Sequence, residues 1–148
     1  MNKKINRLFT IMFTLLLLFT SVSKVSAASA SIHVSSSTNR IVVGKTFTVN
    51  VKVSSSNTIG TWEWTMSYDT KKLKLVSGPS TVKDYGDSKI KSKTYTYKFK
   101  AIATGNASVT VKSAAVYDYK TEKTMSLTKG TKNINIITNS VVKEFETN

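Results

Sequence analysis

With one histidine and no cysteine in 148 residues, the side chains left to do chemistry are carboxylates, hydroxyls, lysines and aromatics. A transition-metal site draws on several imidazole or thiolate ligands, so His33 alone does not provide one, and thiol catalysis is excluded. Ser35, Ser36 and Ser37 beside His33 have no Asp close in sequence, and no nucleophile-elbow, paired-acid or phosphate-loop pattern occurs anywhere. No catalytic residue, metal ligand or cofactor is therefore assigned, and the chain is expected not to be an enzyme.

Three other groups could do chemistry of recognition. Glu63 is an acid flanked at alternate positions by Thr61 and Thr65 in a strongly basic chain. A carboxylate between hydroxyls offers acceptors and donors to a protein partner, and the plain alternative is a solvated surface charge. Trp62 and Trp64, two residues apart, would lie side by side on a strand and could stack on sugar rings. They share that face with Met66 and Tyr68, however, the only face there apolar enough to build an interior, so core packing is expected. Asp84 and Asp87, around Gly86, supply two carboxylates, short of the roughly six to eight oxygens that calcium takes. Lys83, Lys89, Lys91 and Lys93 surround them and oppose a cation, so the segment reads as a turn.

Charge is the loudest feature, with 22 Lys plus Arg against 8 Asp plus Glu. Residues 1–27 carry the pattern of an export signal: Lys3, Lys4 and Arg7, an apolar run from Leu8 to Phe19, then Val25, Ser26 and Ala27 before Ala28. The run is interrupted by Thr10 and Thr14 and falls short of the roughly 20 apolar residues of a spanning helix, so no transmembrane anchor is expected in the mature chain. Setting aside Lys3, Lys4, Arg7 and Lys24 leaves 18 basic against 8 acidic residues, a net charge of +10. Secretion, with association to the cell wall as the variant, is the expected location. There the charge favours encounter with anionic polymers such as wall teichoic acid or acidic glycans. Lys52, Lys98, Lys100 and Lys112 all fall at outward positions of their segments and could line one basic sheet surface, with solvation and edge protection as the plain reading. Nucleic acid is not an expected partner.

The elements that must position these groups are strands. Period-two alternation recurs along the chain and helical periodicity is nearly absent after residue 28. Phe47, Val49, Val51 and Val53 alternate with Thr48, Asn50 and Lys52, and Tyr95, Tyr97, Phe99 and Ala101 alternate with Thr94, Thr96, Lys98 and Lys100. Val109 and Val111 alternate with Ser108, Thr110 and Lys112. Shorter segments of the same kind lie at residues 31–35, 40–43, 73–76, 115–119, 123–127 and 132–138. Glycines at 44, 60, 78, 86, 105 and 130 punctuate them. With no cysteine to staple it, the fold must stand on a hydrophobic core. The expectation is an all-β sandwich of eight or nine strands over residues 28–138, preceded by the export signal and followed by a flexible tail at 139–148.

The order of these blocks resembles one family. Gly44 to Val49, then Trp62-Glu63-Trp64-Thr65-Met66-Ser67-Tyr68-Asp69, then Leu73-Lys74-Leu75-Val76-Ser77-Gly78, is similar to cohesin modules over residues 30–137. The Tyr68-Asp69 pair followed by Leu73 carries most of that similarity. The blocks 94–101 and 105–111 look like the family's paired sixth and seventh strands. The resemblance implies a jelly-roll β-sandwich that binds a dockerin, a small calcium-loaded helical module, through one sheet face. It also places the family's recognition Asp at Glu63 and the neighbouring Asn at Thr61, neither of which is the family's residue type. The expected function is thus a non-catalytic module that holds an extracellular, dockerin-like protein on the face around Thr61, Glu63 and Thr65. The alternatives are a module that binds a carbohydrate or anionic wall polymer through its basic surface, and a structural spacer of a surface protein.

Overall fold

A computed structural model describes residues 26–139. The expected export signal up to residue 25 and the expected tail beyond residue 139 lie outside the described residues.

Ten strands follow one another: β1 (Ser29–Ser36), β2 (Arg40–Val42), β3 (Thr46–Ser55), β4 (Ile59–Tyr68), β5 (Leu73–Ser77), β6 (Thr81–Tyr85), β7 (Ser92–Ala101), β8 (Gly105–Asp118), β9 (Ser126–Lys129) and β10 (Lys132–Ile137). They form two five-stranded sheets, a first of order β5-β7-β3-β1-β9 and a second of order β2-β10-β8-β4-β6. Most neighbours are antiparallel, and the exceptions are the parallel pairs β1 with β9 and β2 with β10. The long strands occupy the interior of each sheet, whereas the four edges are 5, 4, 3 and 5 residues long in β5, β9, β2 and β6.

The alternation read from the sequence is the alternation of the fold. Phe47, Val49, Val51 and Val53 of β3 and Tyr97, Phe99 and Ala101 of β7 point into the sandwich, where they meet Trp62, Trp64 and Met66 of β4 and Val109 and Val111 of β8. Trp62 and Trp64 are each 1% exposed, so they build the core and form no sugar-stacking platform. Fully burying a large apolar side chain contributes roughly 1.5–3 kcal/mol, and this layer holds the greatest share of such groups. Ring packing is specific as well. Trp64 meets Tyr95 edge-on with centroids 5.1 Å apart, and Tyr68 meets Phe99 in the same manner at 5.0 Å.

Two polar rungs cross from one sheet to the other inside this layer. The Trp62 indole N–H donates to the Tyr95 hydroxyl at 2.8 Å, and the Trp64 indole N–H donates to the Tyr97 hydroxyl at 3.2 Å. The Tyr95 hydroxyl in turn donates to the Asp84 carboxylate, which Lys93 also reaches at 2.7 Å. Each buried indole N–H thus has an acceptor supplied by the opposite sheet.

Three expectations are corrected. The segments at 107–112 and 115–119 are one strand, β8, interrupted by a bulge: Thr65 pairs with Lys112 and Glu63 with Ala115, so Ser113 and Ala114 together oppose Trp64. Ser113 takes a φ of 51°, and the extra residue breaks the period that marks a strand in sequence. Asp84 and Tyr85 belong to a strand, β6, and are not a loop. The blocks at 94–101 and 105–111 are not paired with each other: β7 bonds to β3 and β5 of the first sheet, and β8 to β4 and β10 of the second.

Candidate functional site

Thr61, Glu63 and Thr65 come together on the outward face of the second sheet, because β4 alternates and its other positions fill the core. Their neighbours are fixed by register. Thr61 lies between Tyr85 of β6 and Tyr117 of β8, Glu63 between Lys83 and Ala115, and Thr65 between Thr81 and Lys112. The result is a polar strip with an aromatic at each side of one end.

The Glu63 carboxylate is 3.8 Å from the Lys83 ammonium, with side chains 41% and 77% exposed respectively. At that distance and exposure the pair contributes at most about 1 kcal/mol, and it leaves the carboxylate available to a stronger donor. The Thr65 and Thr81 hydroxyls are 3.4 Å apart. Tyr85, 79% exposed, and the half-buried Tyr117 wall a shallow hollow of about 350 Å³ above Thr61 and Glu63. A second hollow of about 340 Å³ adjoins it and shares Thr61 and Tyr117. Acceptors, hydroxyl donors and amphipathic rings around a dent suit a polar protein surface with one inserted side chain. Tyr85 and Tyr117 were not singled out from the sequence. Tyr117 is next to the buried Val116 and so faces outward, and the pairing of β8 and β6 about β4 brings both rings to flank Thr61.

The two acids of the segment 84–87 each have partners within the protein. Asp84 takes the Lys93 ammonium and the Tyr95 hydroxyl, and these two bonds, the lysine's foremost, hold its carboxyl below the ordinary carboxylate range. Asp87 accepts the backbone N–H groups of Lys89 and Ile90 at 2.7 and 3.1 Å, which makes it a turn former. Among the described residues no cluster of three or more His, Cys, Asp or Glu is placed to hold a metal ion. Burial pushes the Tyr95 phenol well above its ordinary range, and Asp84 beside it adds to the shift. Asp118, 4% exposed, accepts Asn57 and the backbone N–H groups of Lys120 and Thr121, and those donors, Asn57 first, lower its pKa.

The four lysines do not share one surface. Lys52, Lys98 and Lys100 lie on the outward face of the first sheet, on β3 and β7, whereas Lys112 lies on β8 of the second sheet, across from Thr65. Alternation tells outside from inside but not which of two sheets a strand joins, so Lys112 could not be separated from the others without the long-range pairing.

The described residues thus form a two-sheet β-sandwich with a polar, aromatic-flanked strand on the outward face of one sheet. Residues 30–143 match the model of the cohesin domain, well over half of the chain, and the chain belongs to the cohesin family. Solved structures agree on the fold. A type II cohesin from the cellulosome of Acetivibrio cellulolyticus superposes with a TM-score of 0.55 at 12% identity, covering 74% of this chain and 96% of that one. The third ScaB cohesin of R. flavefaciens, solved in complex with a group 1 dockerin, gives 0.58 at 13% identity, covering 76% and 97%. A non-cellulosomal cohesin from the archaeon Archaeoglobus fulgidus gives 0.53 at 14% identity, covering 83% and 100%. The comparison with curated proteins returns no match. No helix among the described residues is long and apolar enough to cross a membrane.

Proposed function

We propose that the chain is an exported, non-catalytic adhesion module that holds a dockerin-like protein partner on the outward face of the second sheet. The observation that carries this reading is the placement of Glu63 at the middle of that face, held only loosely by Lys83 and facing the hollow between Tyr85 and Tyr117. Membership in the cohesin family supports a protein as the partner, and cohesins of R. flavefaciens and Clostridium thermocellum were solved with dockerins. Export rests on the pattern of residues 1–27. The Glu and Thr at positions 63 and 61, where the family resemblance expects an Asp and an Asn, favour a partner with donors matched to a longer acid and a single hydroxyl.

The test is to capture a partner from the exported proteins of the source organism on the immobilised chain, identify it, and titrate it purified against wild type and Glu63→Ala. Truncating one member of a buried, charge-assisted contact costs about 2–5 kcal/mol, so Glu63→Ala should weaken binding by about 30-fold or more. The substitution Lys98→Gln on the opposite sheet should leave that affinity unchanged. Equal affinity of wild type and Glu63→Ala for the purified partner would refute the assignment of the face.

A further inference from the structure

The outward face of the first sheet has a character that the protein-binding reading does not use. Its five strands contain no Asp or Glu at all. Lys74 of β5, Lys98 and Lys100 of β7, and Lys52 of β3 are all exposed on it, with exposed His33 of β1 directly across from Lys52. Thr46, Thr48, Asn50, Thr94 and Thr96 fill the positions between them. Among the described residues, ion pairs are made by Lys72, Lys83 and Lys93, and none by Lys52, Lys74, Lys98 or Lys100.

Two observations argue against an idle solvated surface. Edge protection accounts for Lys74, since β5 is an edge, but β7 and β3 are interior strands and their lysines protect nothing. Lys74 and Lys100 are also direct cross-strand partners, and like charges placed opposite each other destabilise a sheet. A bound anion reverses the sign of that contact.

The geometry also narrows the anion. Lys98 and Lys100 are spaced by about 6.7 Å along β7, Lys100 and Lys74 by roughly 4.8 Å across strands, and Lys52, opposite Thr94, lies about 13 Å along the face from Lys98. This is an extended track, which suits a chain of repeated charges better than a single compact ion. The aromatic residues of β3 and β7, Phe47, Tyr95, Tyr97 and Phe99, all turn toward the interior, so the track offers no ring on which a base or sugar could stack. We propose that this face is a docking surface for a linear polyphosphodiester of the teichoic-acid kind, recognised by lysine charge and by threonine and asparagine hydrogen bonds. The protein-binding face on the second sheet stays free, so the module can be held to a wall polymer on one side and carry a protein on the other.

The probe is end-labelled poly(glycerol phosphate), titrated by fluorescence anisotropy against the purified chain in 50 and 200 mM NaCl. The triple variant Lys52→Gln/Lys98→Gln/Lys100→Gln is compared with a charge-matched control, Lys83→Gln/Lys89→Gln/Lys112→Gln, with circular dichroism melts to confirm that both fold. The first-sheet variant should lose at least about tenfold in affinity at 50 mM salt, and its log–log salt slope should shrink by about 2, since each phosphate contact contributes roughly 0.7 on a single-stranded polyphosphodiester. The control should lose less than about threefold. Equal losses in the two variants would show that net charge alone is at work and overturn the assignment, as would no binding at 50 mM salt. Tighter binding of an oligothymidylate with the same number of phosphates would overturn the choice of polymer.

Discussion

Replacing Tyr95 with Phe removes one oxygen from the rung that joins the sheets, and its cost can be worked from the partners left behind. The Trp62 N–H, on a residue 1% exposed, loses its acceptor. An orphaned buried donor of this kind costs about 1–3 kcal/mol. Asp84 loses a donor too, but it keeps Lys93, and its side chain is 27% exposed, so water can replace the hydroxyl at little cost. The sum is about 2 kcal/mol, dominated by the indole. The protein has two tryptophans, both on β4 and both in these rungs, so their fluorescence during urea unfolding reports on this layer directly. With a urea slope of about 1–1.5 kcal/mol/M for a domain of this size, the midpoint should fall by about 1–2 M while the slope stays unchanged. Tyr97→Phe strips the acceptor from Trp64 and should cost a similar amount or less, its bond being longer at 3.2 Å. A midpoint shift below about 0.3 M for Tyr95→Phe, at unchanged slope, would refute the view that these bonds hold the sheets in register.

Two further outcomes follow from other parts of the fold. Gly86→Ala would set a methyl carbon 2.3 Å from the Ile59 carbonyl oxygen and 3.2 Å from the Trp62 ring, so backbone must move, and a loss of about 1–3 kcal/mol in urea unfolding is expected; wild-type stability would show that the β4–β6 end is looser than described. Asp69, Asp84 and Asp118 have lowered pKa values through Lys72, Lys93 and Asn57 respectively, so their stabilisation is present above the ordinary carboxylate pKa near about 4 and is lost as pH falls through the lowered values. Tyr95 and Tyr97 are raised by burial, so their share is present below about pH 10 and is lost as pH rises further. Thermal melts should therefore be level from about pH 5 to 9 and fall on both sides, with the alkaline fall reduced in Tyr95→Phe; a full alkaline fall in that variant would refute the assignment to Tyr95.

What was legible in the sequence is what local alternation controls. The strands β3, β4 and β7 were readable because each carries four inward apolar residues in strict period two, and the burial of Trp62 and Trp64 followed from the company of Met66 and Tyr68. β6 was not readable, since it contributes a single buried apolar residue, Val82, and one of its positions is Asp84, whose side-chain partners, Tyr95 and Lys93, both come from the other sheet. The break in β8 at Ser113 shifted the phase of alternation and made one strand look like two. At the site, Thr61, Glu63 and Thr65 shared a face by local rule, whereas the flanking Tyr85 and Tyr117 and the separation of Lys112 from Lys52, Lys98 and Lys100 depend on which strands pair. That pairing joins residues far apart in the chain, and no window of sequence contains it.

The brevity of the four edge strands bears on crowding. A sheet grows by adding a chain to an exposed row of unpaired N–H and C=O groups, and rows of 3 to 5 residues give such a chain few places to bond. The long, strongly alternating strands, which would be the best templates for cross-β growth, are each flanked on both sides by neighbours. Many copies held close together on one surface would thus remain separate units, each meeting others through its faces rather than fusing along its margins.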